Sequence, residues 1–254
     1  MNVITYEQPL NERVRMFLRL EDLVRRFDHG CRGEQAWETH AAMSTLVELH
    51  NLTSRVDIKR DIMKELERQT ANLLPLGAQP GVDRSALEAI VARQRMLVER
   101  LHATEGQQDV LKTSEFFNSI RQRMAIPGGT CDFDLPSYHY WLHRPHDERL
   151  ALLGAWIQPF REVMQAVTLI LELVRQSTYP RQSVAQGGFY QQSLDQDASF
   201  QLLRIRLPMD ETVFPEVSAG RHRFTVRFLE HGDPNQRAKQ TERDVNFELA
   251  CCAI

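Results

Sequence analysis

Leu150, Leu153, Ile157, Phe160, Met164, Val167, Leu171 and Val174 recur at steps that alternate three and four. Such a 3.5-residue period is the signature of a helix with one sustained apolar seam. Trp156, Val163 and Ile170 form a second row beside the first, seven residues apart. A helix with two such rows carries a broad apolar stripe, and several other helices must pack against it. Pro159 interrupts the pattern. It has no N–H, and its ring crowds the carbonyl of Ala155, four residues back. This predicts either a kink or two helices with Pro159 opening the second. Two roles stay open for the seam: a central core helix, or a core helix whose seam also dimerises. The stretch 163–174 is too short to span a bilayer and carries Gln165 and Glu172.

Hydrophobic residues make up 42% of the 254 and charged residues 26%, a globular composition able to bury a real core. The net charge of −3 argues against a dedicated nucleic-acid binder. Residues 1–30 hold no apolar run of signal-peptide type, and no window is long enough to cross a membrane. The expectation is a cytoplasmic protein without membrane insertion. Cys31, Cys131, Cys251 and Cys252 show no CxxC spacing, so neither a zinc site nor a disulfide framework is expected. The terminal Cys-Cys-Ala-Ile superficially fits a prenylation box. A second Cys stands where an aliphatic residue belongs, and the segment reads better as the end of a strand.

Residues 3–7 form a short β-branched run closed by Pro9, which predicts a lone strand that pairs with something later. Helices follow. One over 10–27 has Leu10, Val14, Phe17, Leu20, Val24 and Phe27 on one face. A second carries Trp37, Met43, Leu46, Val47 and Leu49. A third carries Ile58, Ile62, Leu66 and Leu73. Asp83 or Ser85 can cap the next, which carries Leu87, Ile90, Val91, Gln94, Leu97, Val98 and Leu101. Residues 113–124 and 137–143 complete the set before the central helix, expected over 147–178. After Thr178 the period changes to alternation, over 188–191, 200–207, 223–229 and 245–252, with a polar loop at 231–244. The expected fold is α+β. An N-terminal multi-helix domain, 8–180, precedes a small antiparallel β-sheet domain, 181–254, which the N-terminal strand 3–7 joins.

His139 and His143 share a helical face and His146 follows, a spacing that can chelate metal. Tyr138 and Trp141 beside them point to packing instead, and no metal is expected. Neither Gly128-Gly129 nor Gly187-Gly188 has a phosphate-loop frame, and no nucleophile elbow is present. Nothing supports an enzyme or a cofactor. The arginines are more informative. Alternation places Phe224, Val226 and Phe228 on one strand face, with Arg223, Thr225 and Arg227 on the other. Leu203, Ile205 and Leu207 likewise oppose Arg204 and Arg206. If both strands bury their apolar sides against the helices, these arginines point outward together. Guanidinium forks suit carboxylates and phosphates. Two readings stay open: an anion-binding face, or a solvated strand face with acids supplied by neighbours. A nucleic-acid-binding module on the same face is the alternative of another class, recognisable by steep salt dependence.

Three stretches together carry a resemblance. The first is Gln8-Pro9-Leu10-Asn11-Glu12-Arg13-Val14-Arg15. The second runs from Ile120-Arg121-Gln122-Arg123-Met124-Ala125-Ile126-Pro127-Gly128-Gly129 through Phe133-Asp134-Leu135-Pro136 to Trp141-Leu142-His143. The third comprises Gly188-Phe189-Tyr190-Gln191, Arg223-Phe224-Thr225-Val226-Arg227-Phe228 and Phe247-Glu248-Leu249-Ala250-Cys251-Cys252. In order and almost throughout, the chain resembles the Z-ring-associated protein D (ZapD) cell-division family. The resemblance implies a cytoplasmic homodimer at the midcell division ring, with a helical and a β domain. Its implied partner is the C-terminal tail peptide of the tubulin-like GTPase FtsZ, whose filaments it would bundle. The family's tail-binding groove takes basic residues from both domains, and these fall on Arg55, His139, Arg223 and Arg227. This chain departs from the family at Glu115, where a basic residue is replaced by an acid.

Overall fold

The computed structural model describes residues 2–54, 57–103, 110–195, 198–220, 222–230, 232–233 and 235–254. Strand β1 (Val3–Pro9) is followed by α1 (Glu12–Gly30), α2 (Ala36–Thr53) and α3 (Ile58–Leu73). A 3-10 turn, Leu74–Ala78, leads to α4 (Arg84–Ala103). Then come α5 (Val110–Thr113), α6 (Glu115–Met124), α7 (Pro136–Leu142) and α8 (His146–Gln176). The strands β2 (Arg181–Ala185), β3 (Phe189–Ser193), β4 (Phe200–Pro208), β5 (Val213–Ala219), β6 (Arg223–Glu230), β7 (Lys239–Gln240) and β8 (Val245–Ala253) complete the chain. Two compact units result: 18–170, and the residues up to Phe17 together with 171–254. The first turns of α1 and the last turns of α8 therefore belong to the β unit.

In the helical unit the alternating seam of α8 is consumed as core. Leu153, Ile157, Met164 and Val167 are buried, as are Trp156, Val163 and Ile170 of the second row. α8 runs unbroken across Pro159, so the two-helix expectation does not hold. Ala155 and Pro159 are both exposed, and the carbonyl deprived of its helical donor is on the watered side. Asp83, not Ser85, caps α4: its Oδ1 accepts from the Ala86 N–H at 3.1 Å. Trp37, expected with the apolar face of α2, is 78% exposed and sets its ring edge-on to His40. It stands in the first turn of α2, before the helix enters the core.

A polar network crosses the helical core. Glu65, Gln69 and Gln94 are fully buried. The Gln69 amide donates to Glu65 and to the Ile170 carbonyl, each at 3.4 Å. The Gln94 amide donates to Gln69 at 3.3 Å, and the Thr70 hydroxyl donates to Gln94 at 2.7 Å. Buried amides cost free energy unless bonded, so this chain of partners fixes the register of α3, α4 and α8.

The β unit holds two sheets rather than one. The first has the order β1-β4-β8-β2, the second β3-β6-β5 with β7 also on β6, and every pairing is antiparallel. The N-terminal strand joins the first, from Val3 opposite Pro208 to Pro9 opposite Leu202. Leu203, Ile205 and Leu207 of β4 and Val245, Phe247 and Leu249 of β8 form one core with Phe224, Val226 and Phe228 of β6. The rings of Phe228 and Phe247 lie 5.0 Å apart across it. The apolar sides of β4 and β6 thus meet each other instead of the helices. Their arginines, expected to point outward together, lie on opposite outer faces of a sandwich.

Glu7 ties three elements of this unit. Its carboxylate accepts both nitrogens of Arg175 at the end of α8, at 2.9 and 2.7 Å, and Arg204 Nε from β4 at 3.0 Å. Burial by itself raises the carboxyl pKa, but Arg175 and Arg204 outweigh it and hold the group below its ordinary 4.5. A folded pKa below the unfolded one means stability that is full above about pH 4.5 and lost as the pH falls through the folded value. Glu7→Gln is expected to cost about 1–3 kcal/mol at pH 7, from lost charge-assisted bonds. Its urea denaturation is also expected to depend less on pH below 4.5 than that of the parent protein.

Candidate partner-binding face

β6 faces the inter-sheet core with Phe224, Val226 and Phe228, all 0% exposed. Strand parity then forces Arg223, Thr225 and Arg227 to the outer side, where both arginines are exposed. Register supplies their neighbours. Arg227 stands between Phe189 of β3 and Glu216 of β5. Thr225 stands between Gln191 and Ser218, and Arg223 opposite Ser193. The turn into β3 requires glycine at 188: its φ is +69°, and a Cβ there would meet the Thr241 carbonyl at 2.5 Å. That turn seats Phe189, 42% exposed, beside Arg227.

The charges on the arginines differ in their partners. Arg204 pairs with Glu7 and Arg206 with Glu248. Arg227 pairs with Glu216, both side chains about half exposed. For these three, neighbouring strands supply the acids. Arg223 has no ion-pair partner among the described residues. Glu216 was beyond sequence reasoning because β5, with Pro215 inside it, gives a weak strand pattern.

His139 belongs to the helical unit. Tyr138, its neighbour on α7, is fully buried, shares a hydrogen bond with His40 Nδ1 (3.0 Å) and stacks on Trp141. Burial pushes the Tyr138 phenol up and the His40 imidazole down, so both groups stay uncharged at neutral pH. Phe116 packs against Tyr138, Trp141 and Trp156, and Phe117 against His50 and Trp156. This aromatic cluster fixes the rotation of α7, and His139 is left exposed beside His143, with ring centroids 4.4 Å apart. The His143 Nδ1–H donates to the His139 carbonyl at 2.8 Å. The packing expected of this segment is carried by Tyr138 and Trp141, not by His139. Among the described residues no three His, Cys, Asp or Glu side chains group as metal ligands. Glu115 is exposed in the first turn of α6, where an acid complements the helix N-terminus. Arg55 lies outside the described residues.

The family model described as cell division protein ZapD matches residues 18–227. The chain belongs to the ZapD family of cell division proteins. It is 40% identical over 254 residues to the cell division protein ZapD of Methylococcus capsulatus, covering 100% of this chain and 99% of that protein. It is 38% identical over 252 residues to the ZapD of Cupriavidus necator, covering 98% and 99% respectively. No helix among the described residues is long and apolar enough to cross a membrane.

If the outer face of this ZapD family member serves recognition rather than folding, its arginines are dispensable for stability. Arg223→Gln and Arg227→Gln are each expected to shift the unfolding free energy by less than about 1 kcal/mol, as exposed ion pairs do. Chemical denaturation of the two variants checks this.

Proposed function

We propose that this protein is a non-enzymatic crosslinker of FtsZ filaments that acts in the cytoplasm at the midcell division ring. It takes the C-terminal tail of FtsZ on Arg55, His139, Arg223 and Arg227, works as a homodimer, and uses no cofactor, metal or nucleic acid. Family membership supports the division role. The observation that carries the tail-binding part is Arg223, exposed on the same strand face as Arg227 and without an acid among the described residues. Any C-terminal tail ends in a carboxylate, and a guanidinium binds a carboxylate through two parallel hydrogen bonds. Phe189 adds apolar surface beside the charge.

Crosslinking needs two sites per particle, and a homodimer supplies them. A filament repeats its tail at every subunit, so modest single-site affinity becomes strong avidity. The α8 seam is buried within the protomer, so the dimer contact uses another surface.

The test is co-sedimentation with GTP-polymerised FtsZ, with and without its tail. Tail-dependent pelleting is expected, weakening as salt rises. Arg223→Glu with Arg227→Gln is expected to reduce it at least tenfold in a folded protein; undiminished pelleting would overturn the assignment. Glutamine at 227 avoids placing a second acid opposite Glu216. Sedimentation velocity at micromolar concentration is expected to give twice the protomer mass of 29.5 kDa. A monomer throughout that range would remove the crosslinking mechanism.

A further inference from the structure

The helical unit holds a cleft of about 430 Å³ between α2 and the end of α6 with the turn that follows it. Such a volume lies within the range of ordinary ligand sites, about 300–1,000 Å³. The cleft includes none of the four residues assigned to the tail. Val47, Met124, Ile126 and Pro127 give it apolar walls, and the Ile126 side chain is 49% exposed. Two charged groups line it besides His40: Glu48 and Arg121. Both oxygens of Glu48 accept from Arg26 at 3.2 Å, so that carboxylate is already neutralised. Arg121 is different. One terminal nitrogen donates to Asn118 at 3.3 Å, and its Nε is buried without a hydrogen-bond partner. Among the described residues it makes no ion pair. Burial holds the His40 imidazole below its ordinary pKa, so it brings no charge at neutral pH.

The Arg121 guanidinium therefore carries into the cleft a charge that no ion pair neutralises, and a carboxylate is the group that best complements it. The apolar walls call for an aliphatic group beside that carboxylate. We infer that this α2–α6 cleft is a second recognition site, which takes an acidic peptide segment carrying an aliphatic side chain next to an aspartate or glutamate. One guanidinium matches the single charge of a carboxylate, whereas a phosphate group carries up to two.

The experiment uses the full chain and two blocked dipeptides, acetyl-Leu-Asp-amide and acetyl-Leu-Asn-amide. Binding is followed by NMR at the Arg121 Nε–H and the Ile126 and Met124 methyl groups. Saturable millimolar binding of the Asp peptide is expected, with at least fivefold weaker binding of the Asn peptide. Arg121→Gln is expected to weaken the Asp peptide by a similar factor. Ser44→Glu, which adds an acid to the cleft wall and leaves Arg121 in place, is expected to do the same should Arg121→Gln fail to fold. Equal affinity for both dipeptides, or no response up to 20 millimolar (on the order of the weakest useful contacts), would overturn the proposal. Acetate alone binding as tightly as the Asp peptide would reduce the cleft to a simple anion site and overturn it equally.

Discussion

Side-chain parity along β6 decides what the β unit can present. Phe224, Val226 and Phe228 are fully buried against the facing sheet, each contributing roughly 1.5–3 kcal/mol. A one-residue slip would turn all three into water and bring Arg223, Thr225 and Arg227 inside. The loss would be comparable with the whole stability of a domain, about 5–15 kcal/mol. The orientation of the arginines is therefore not a separate property to be maintained. It follows from the core on the other side of the same strand. The closed turn at Gly188 and the pairing with β5 then fix what stands beside them, Phe189 on one side and Glu216 on the other.

The helical unit reaches a comparable end by different means. The seam of α8 is apolar and permissive about small rotations, because Leu, Ile, Val and Met repack at modest cost. The polar chain of Thr70, Gln94, Gln69 and Glu65 is not permissive, since each amide lost to a wrong register is left buried and unbonded. Burial supplies most of the stability there and the polar chain most of the uniqueness. Around α7 the ring cluster of Phe116, Tyr138, Trp141 and Trp156 does the same for orientation, and His139 reaches solvent because its neighbour Tyr138 cannot.

Much of this was legible from residue spacing. The seam of α8, the helical periods of α1, α3 and α4, the change of character after Thr178, and the outward pair Arg223 and Arg227 all follow from period alone. What escaped has a common cause. β2 and β5 are an exposed strand and a proline-containing one, so neither carries the alternation that reveals a half-buried strand. Without β2 the first sheet loses an edge and without β5 the second shrinks to β3 and β6, so the arginines of β4 and β6 seem to share one face. The same omission hid Glu216. At Pro159 residue spacing leaves two alternatives open, one kinked helix or two helices, because whether a proline breaks a helix depends on the side its freed carbonyl faces. Here that side is watered.

The distribution of acids separates arginines that hold the fold from arginines that are free to act. Arg204 is bound to Glu7 within a clamp that joins β1, β4 and the end of α8, and its loss would be felt as stability. Arg227 shares a half-exposed bond with Glu216, an interaction weak enough for a competing carboxylate to replace. Arg223 needs no replacement, since no acid among the described residues holds it. A face built this way would, under the proposed function, bind one anionic peptide weakly. Each new contact returns only the difference between a protein carboxylate or water and the incoming group. Weakness at the single site would be compatible with the proposed crosslinking, because a tail repeated along a polymer multiplies it, whereas tight single sites would exchange slowly.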